Sequence, residues 1–325
     1  MKFFCSNKSS SSSATTMTSL FGSVMRAVVM CFVVSALLTT SVFNPDGSVA
    51  MAKPVSSPDA SKASSSHFVA NCTRTDSLYV RDAIINFGDS ITRYGFNNTR
   101  HGYSGVMANS YLQKLDILGR GYSGYNSTKG LELLPYVIPN KKYYKKKPCF
   151  GNVRLLTLFF GTNDAVLPGF PQHIEIPDYL KNMEAMVNMV RDPKSEFYHP
   201  DTRILFIAPG PVHVGMWNRQ VGSTGQLDLI DSRDNNYVKQ YCQALVDLGK
   251  KLNIPTVDSW NLIMDQINNL PSDVRNGEWN GFDRFFVDGL HPNDLGNDII
   301  FNNVMSLISK YYPEIAPAKL GSAFP

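Results

Sequence analysis

The chain has 325 residues, 43% of them apolar and 18% charged, and a formal charge of +4. Length and composition are those of a globular chain with enough apolar residues for one large core. Residues 1–45 hold Lys2, Lys8 and Arg26 and no acid, so the remainder carries 28 bases against 27 acids. That balance gives no reason to invoke nucleic acid or an anionic membrane surface.

The first 75 residues read as address and tether. Ser6 to Ser13 is nearly all serine, and the twelve residues Ala27–Leu38 carry no charge. An apolar run that short suits a signal-peptide core better than a membrane span, which takes roughly 20 residues. Arg26 precedes the run, and Ala50-Met51-Ala52 offers small residues for cleavage. Secretory entry is the expectation. An uncleaved anchor over residues 27–43 and an organelle transit peptide stay open beside it. The expected organisation is a leader over 1–52, a Ser/Pro-rich linker over 53–80, a catalytic domain over 81–316 and a tail over 317–325. Cys72, Cys149 and Cys242 would remain after cleavage, enough for at most one internal disulfide. No CxxC pair occurs, which speaks against zinc. Sequons stand at Asn71, Asn97 and Asn126.

From Arg81 short apolar runs alternate with helix-like stretches. Ala83–Phe87, Leu115–Leu118, Val153–Phe160, Arg203–Ala208 and Thr256–Asp258 read as strands. Val153–Phe160 is apolar enough to be buried on both faces. Tyr103–Lys114, Leu131–Val137, Pro177–Val190, Asn236–Leu252 and Leu295–Tyr311 read as helices. Strands separated by helices imply parallel crossovers and a three-layer α/β/α sandwich around a mostly parallel sheet. In such a sheet the site lies beyond the carboxyl ends of the strands. There stand Gly88-Asp89-Ser90, Gly119-Arg-Gly-Tyr-Ser-Gly124 and Gly161-Thr-Asn163-Asp164, with Asp288-Gly-Leu-His291 just before the last helix. A hydroxyl, glycine amides, a side-chain amide and a carboxylate–imidazole pair are the parts of an acyl-transfer site.

The blocks Gly88-Asp-Ser-Ile-Thr92, Arg120-Gly-Tyr-Ser-Gly-Tyr-Asn126, Gly161-Thr-Asn-Asp164 and Asp288-Gly-Leu-His291 resemble, in order, those of SGNH (GDSL-type) hydrolases. The string Leu115–Asn126, with Ala208-Pro-Gly-Pro211 and Tyr312-Pro-Glu314, resembles the isoamyl acetate-hydrolysing esterase branch. The resemblance covers roughly residues 82–316 and implies a serine esterase for short carboxylic esters. Lipase, thioesterase or carbohydrate deacetylase activity would use the same parts, and a non-catalytic binding module is the remaining alternative. Ser90 would be the nucleophile and His291 its base. Asp288, three residues before His291, would fix the imidazole tautomer. The resemblance assigns the oxyanion donors to the Ser90 amide, the Gly124 amide and the Asn163 side chain.

Taken singly, these residues have plainer uses. Ser90 could be a helix N-cap, Asp288 and His291 a local turn, Gly124 a turn glycine and Asn163 an Asx turn. Gly119-x-Gly121-x-x-Gly124 matches the dinucleotide fingerprint, but no acid ends a strand about 20 residues on, where ribose recognition needs one. The lysine run Lys141–Lys147 reads as a solvated loop. His101 and His213 fall near proposed strand ends, where surface or structural work is the leading reading. Trp217 either walls an acyl pocket or simply packs. No cofactor, metal or nucleic-acid partner is implied; the expected partner is a small ester, and the sequence leaves the oligomeric state open.

Overall fold

The computed structural model describes residues 81–141 and 151–323. The leader, the linker, Cys72, Cys149, Asn71 and most of the lysine run lie outside the described residues. Five strands form one sheet: β1 (Ala83–Gly88), β2 (Asp116–Gly121), β3 (Val153–Phe159), β4 (Arg203–Ile207) and β5 (Thr256–Val257). Their order is β2-β1-β3-β4-β5, and every pairing is parallel. Among the described residues, the helices used below are α1 (Ser90–Arg93), α2 (Tyr103–Ser110), α3 (Ser127–Val137), α4 (Ile176–Arg191), α5 (Val214–Ser223), α6 (Asn235–Leu252), α7 (Ser259–Asn268) and α8 (Asp294–Tyr311).

The layers follow from the two-residue period of a strand. Ile85, Phe87, Leu156, Leu158, Ile204 and Phe206 point to one side, against Leu134 of α3, Met183 and Val187 of α4, and Tyr241 and Leu245 of α6. Their neighbours Ile84, Leu155, Phe159, Leu205 and Ile207 point to the other, against Tyr103 and Met107 of α2 and Ile300, Val304 and Ile308 of α8. Two buried faces explain why β3 is apolar along almost its whole length. The one polar pair inside the sheet is satisfied: Thr157 donates to Asn86 Oδ1 at 3.0 Å, and Asn86 Nδ2 donates to Ser104 at 2.8 Å. This is the expected α/β/α sandwich. The chain reverses direction across the sheet between β1 and β3, which opens a crevice at their carboxyl ends.

Several element boundaries differ from the sequence reading, each for a physical reason. Strand β2 runs on through Gly119 and Gly121, residues read as lying beyond it. Gly121 pairs with Gly88, and a Cβ there would sit 1.9 Å from the Arg93 amide nitrogen. Glycine is required because the backbone of α1 crosses the strand end. Helix α2 stops at Ser110, and Gln113 turns back with a φ of 61°. Helix α3 starts earlier than expected because Asn126 caps it, accepting from the Lys129 amide. Asp258, read as strand, is the N-cap of α7. Helices α5 and α7 were not expected: α5 carries two glycines and β-branched valines, and its cap is the His213 imidazole, an unusual one. Cys242 is a buried thiol without a disulfide.

Candidate active site

The nucleophile candidate sits where β1 becomes α1. Gly88 closes the strand because a Cβ there would meet Thr92 Oγ1 at 2.3 Å and the Phe159 carbonyl at 2.4 Å. Asp89 then caps the helix, its Oδ1 accepting from the Ile91 amide at 2.9 Å. The capping role that Ser90 might have filled thus belongs to its neighbour, and the Ser90 hydroxyl is left for other work. It meets the imidazole of His291, Nε2 lying 2.9 Å from Ser90 Oγ.

His291 is held by the loop just before α8. Its Nδ1 is 2.7 Å from Asp288 Oδ2. Asp288 Oδ1 accepts from the backbone amides of Leu290 and His291 at 3.0 and 2.8 Å. The loop can fold back this sharply because Gly289 has a φ of 83° and presses against the His213 carbonyl. Burial pushes the Asp288 carboxyl up. The hydrogen bond and charge of His291 and the two amides outweigh it, so the group ends below its ordinary range. A carboxylate facing Nδ1 fixes the proton there, so Nε2 is the acceptor for the Ser90 hydroxyl.

The other wall comes from β2 and β3. Gly124 has a φ of 78°, the left-handed region, and its carbonyl accepts from Gln172 Nε2 at 3.0 Å. Asn163 follows β3; its Nδ2 donates to the Tyr125 carbonyl at 2.9 Å, and its Oδ1 accepts from Arg233 Nη2 at 3.2 Å. Ser90, Gly124, Asn163, Asp288 and His291 all line one cavity of about 310 Å³. The structure therefore brings the five residues of the acyl-transfer constellation together.

It also shows roles that the sequence left unassigned. Arg233 is 4% exposed, donates to the Thr162 carbonyl as well as to Asn163, and lies 5.4 Å from the centre of the Trp217 ring. Burial draws its pKa down to about 10, against the opposing pull of Asp89, Asp164 and Asp288. Asp164 accepts the Ser127 amide on both oxygens at 2.9 and 3.1 Å, anchoring α3. Burial raises its pKa to about 6 and that of Asp89 to about 7, the Ser127 and Ile91 hydrogen bonds opposing. Tyr94, four residues after Ser90, packs edge-on against His291 with ring centres 5.4 Å apart. Its one-turn spacing from Ser90 was a usable signal. Arg233, flanked by Asp231 and Asp234, offered none.

Of the weighed alternatives, Trp217 lines the cavity with its ring centre 6.2 Å from that of His291. His101 pairs with Asp298 at 3.6 Å, and His213 caps α5; neither lines the cavity. Gly119 packs on the Phe96 ring, and the N-terminus of α3 is occupied by the Asp164 carboxylate. Packing thus accounts for the glycine spacing that matched a dinucleotide fingerprint.

Residues 87–299 match the model of the GDSL-like Lipase/Acylhydrolase family. The chain belongs to that family. It is a carboxylic ester hydrolase. Among relatives, the human protein named isoamyl acetate-hydrolyzing esterase 1 homolog is 28% identical over 249 residues, covering 73% of this chain and 89% of the relative. The isoamyl acetate-hydrolyzing esterase of Saccharomyces cerevisiae is 27% identical over 215 residues, covering 66% of this chain and 78% of its own length. The GDSL esterase/lipase WDL1 of Oryza sativa is 26% identical over 233 residues, with 71% and 78% covered. A solved lipase/acylhydrolase from Enterococcus faecalis, 18% identical, aligns over 75% of this chain and all of its own with a TM-score of 0.46.

Proposed function

We propose that this esterase hydrolyses short, acetate-type esters through an acyl-enzyme on Ser90. The observation that carries the reading is the relay Ser90 Oγ–His291 Nε2 at 2.9 Å and His291 Nδ1–Asp288 Oδ2 at 2.7 Å, set in one cavity. The two relatives named for isoamyl acetate support the acetate preference.

Ser90 Oγ attacks the ester carbonyl carbon as its proton passes to His291 Nε2. The carbonyl oxygen becomes an oxyanion, met by the amides of Ser90 and Gly124 and by Asn163 Nδ2. Such a side-chain donor is worth about 3 kcal/mol in the transition state. Asp288 stabilises the imidazolium without taking its proton. The tetrahedral centre collapses, the carbon–oxygen bond to the alcohol breaks, and His291 returns the proton to the leaving oxygen. Water then gives a proton to His291 and attacks the acyl-enzyme, releasing the acid and restoring Ser90. Arg233 acts by holding Asn163: with Oδ1 bound to the guanidinium, Nδ2 is the end of the amide left for the oxyanion.

The test is Ser90→Ala against a series of p-nitrophenyl esters of increasing acyl length. Acetate should be the best substrate of the wild type, and the variant should lose at least about 10⁴-fold in kcat. Unchanged activity in the variant overturns the mechanism, and a preference for long acyl chains overturns the substrate class.

A further inference from the structure

Two arginines of the cavity have no place in this chemistry. Arg93 and Arg100 both line it, together with Arg233, whereas its lining holds a single carboxylate, Asp288, committed to His291. Among the described residues neither Arg93 nor Arg100 forms an ion pair. The other acids nearby, Asp89 and Asp164, are fully buried and present nothing to the solvent side.

The two guanidiniums are nevertheless held. Arg93 ends α1 and donates to Ser123 Oγ at 3.0 Å, with its guanidinium carbon 5.5 Å from the centre of the Tyr94 ring. Arg100 ends a single 3-10 turn, Asn98–Arg100, and its guanidinium carbon is 5.1 Å from the same ring. Tyr94 in turn abuts the His291 imidazole. The two cations share one ring as like charges, and among the described residues no carboxylate lies within ion-pair distance of either. Arginines doing no more than solvating a surface gain nothing from that proximity. The planar, forked guanidinium is suited to an anionic oxygen group, which would remove the repulsion.

The chemistry proposed above says which part of the substrate they would read. The acyl portion of an acetate-type ester is a neutral acetyl group, so an anionic group can stand only on its alcohol portion. Tyr94 and the two arginines line the same cavity as Ser90 and His291, Tyr94 against the imidazole and Arg93 bound to Ser123, the residue before Gly124. We infer that Arg93 and Arg100 select esters whose alcohol portion carries an anionic oxygen group, a carboxylate or a phosphate. The inference rests on the acetate-type reading and on the roles given above to Ser90 and His291.

The experiment compares kcat/KM for 4-acetoxybutanoate and 4-acetoxybutyl phosphate with that for the neutral 4-acetoxybutanamide, in the wild type and in Arg93→Gln/Arg100→Gln. Taking each anionic rate as a ratio to the neutral one cancels losses common to both. The ratio should fall about tenfold in the double variant for at least one anion, and the larger fall identifies which group is read. Ionic strength gives a second reading on the wild type alone, should the variant fail to fold. Raising it from about 10 mM to 1 M shortens the screening length from roughly 30 to 3 Å and should lower the same ratio. A ratio indifferent to both substitution and salt overturns the inference. Ser90→Ala, assayed in parallel, separates the two claims. If it still turns over these esters, the nucleophile assignment has failed; if it is inactive while the ratio stays flat, the arginine wall alone has failed.

Discussion

Arg233→Met isolates a contact that serves the reaction without touching the substrate. The substitution keeps an unbranched chain of similar reach and removes the donors to the Thr162 carbonyl and Asn163 Oδ1. A hydrogen bond from a charged donor contributes about 1.5–3 kcal/mol. Its loss frees the Asn163 amide to turn about its remaining tie to Tyr125. The ceiling is the whole contribution of an oxyanion donor, about 3 kcal/mol. We therefore expect kcat on a short acetate ester to fall roughly 10- to 100-fold, about 1.4–2.7 kcal/mol. KM should move less than about threefold, because the oxyanion exists only in the transition state. The assay is steady-state kinetics on Arg233→Met, Asn163→Ala and the double variant. If Arg233 works through Asn163, its replacement should cost almost nothing further in the Asn163→Ala background. Additive losses, or a fall confined to KM, would refute the reasoning. Stability is a separate matter: two orphaned acceptors cost about 1–3 kcal/mol each, and removing a buried guanidinium's desolvation penalty offsets part of that.

Four further outcomes are expected. Asp288→Asn should reduce kcat by about 10³–10⁴-fold at neutral pH by favouring the wrong imidazole tautomer, and activity within tenfold of wild type would contradict the assignment. Asp89, raised to about 7 by burial against the Ile91 amide, stays protonated in the native state where the unfolded chain is already ionised. Between about pH 4 and 7 the unfolded state thus binds fewer protons, and stability falls with rising pH by roughly 1.4 kcal/mol per unit for this group. Denaturant melts of Asp89→Asn should show a flatter profile there; a profile superimposable on the wild type would exclude Asp89 as the source. Asp288 has the opposite sign: its lowered pKa contributes stability above the unfolded value, near 4, that is lost as the pH falls through the native one. Finally, Asn126 is buried, caps α3 with Oδ1 and donates Nδ2 to the Gln172 carbonyl at 3.1 Å. Active enzyme from a glycosylating host should therefore carry no glycan at Asn126, and a peptide mass showing one would contradict the capping geometry.

What was legible in the chain is what its neighbours in sequence make explicit. Ser90 announces itself in a short block at the end of an apolar run, His291 in one just before the last helix, and Asp288 because its partner is three residues away. The sandwich was legible because β3 is apolar on both faces and α4 repeats its buried side chains at helical spacing. Arg233 was not, since the residues it contacts lie 70 and 71 positions away, and Asp231 and Asp234 beside it are acids of the kind that surround a surface arginine. Gly119 and Gly121 misled for a related reason. Their small size answers to Phe96 and to the α1 backbone, contacts made across a crossover and invisible in the local string. Asp89 was read as part of a motif and proves to be the cap that leaves its neighbour's hydroxyl unengaged.

Ser90 and His291 are 201 residues apart in sequence, on the first strand–helix junction and the last loop before α8. Asn297 of α8 closes that distance, accepting from the Tyr103 amide and donating to the Arg100 carbonyl, which ties the end of the domain to its beginning. A nascent chain thus presents its serine early and its imidazole last. Until the His291 loop and α8 dock, the hydroxyl has no proton acceptor, and a chain cut before His291 should be inactive. Onset of turnover during refolding should coincide with docking of α8 rather than with closure of the sheet, which makes the reaction itself a clock for the final step of assembly.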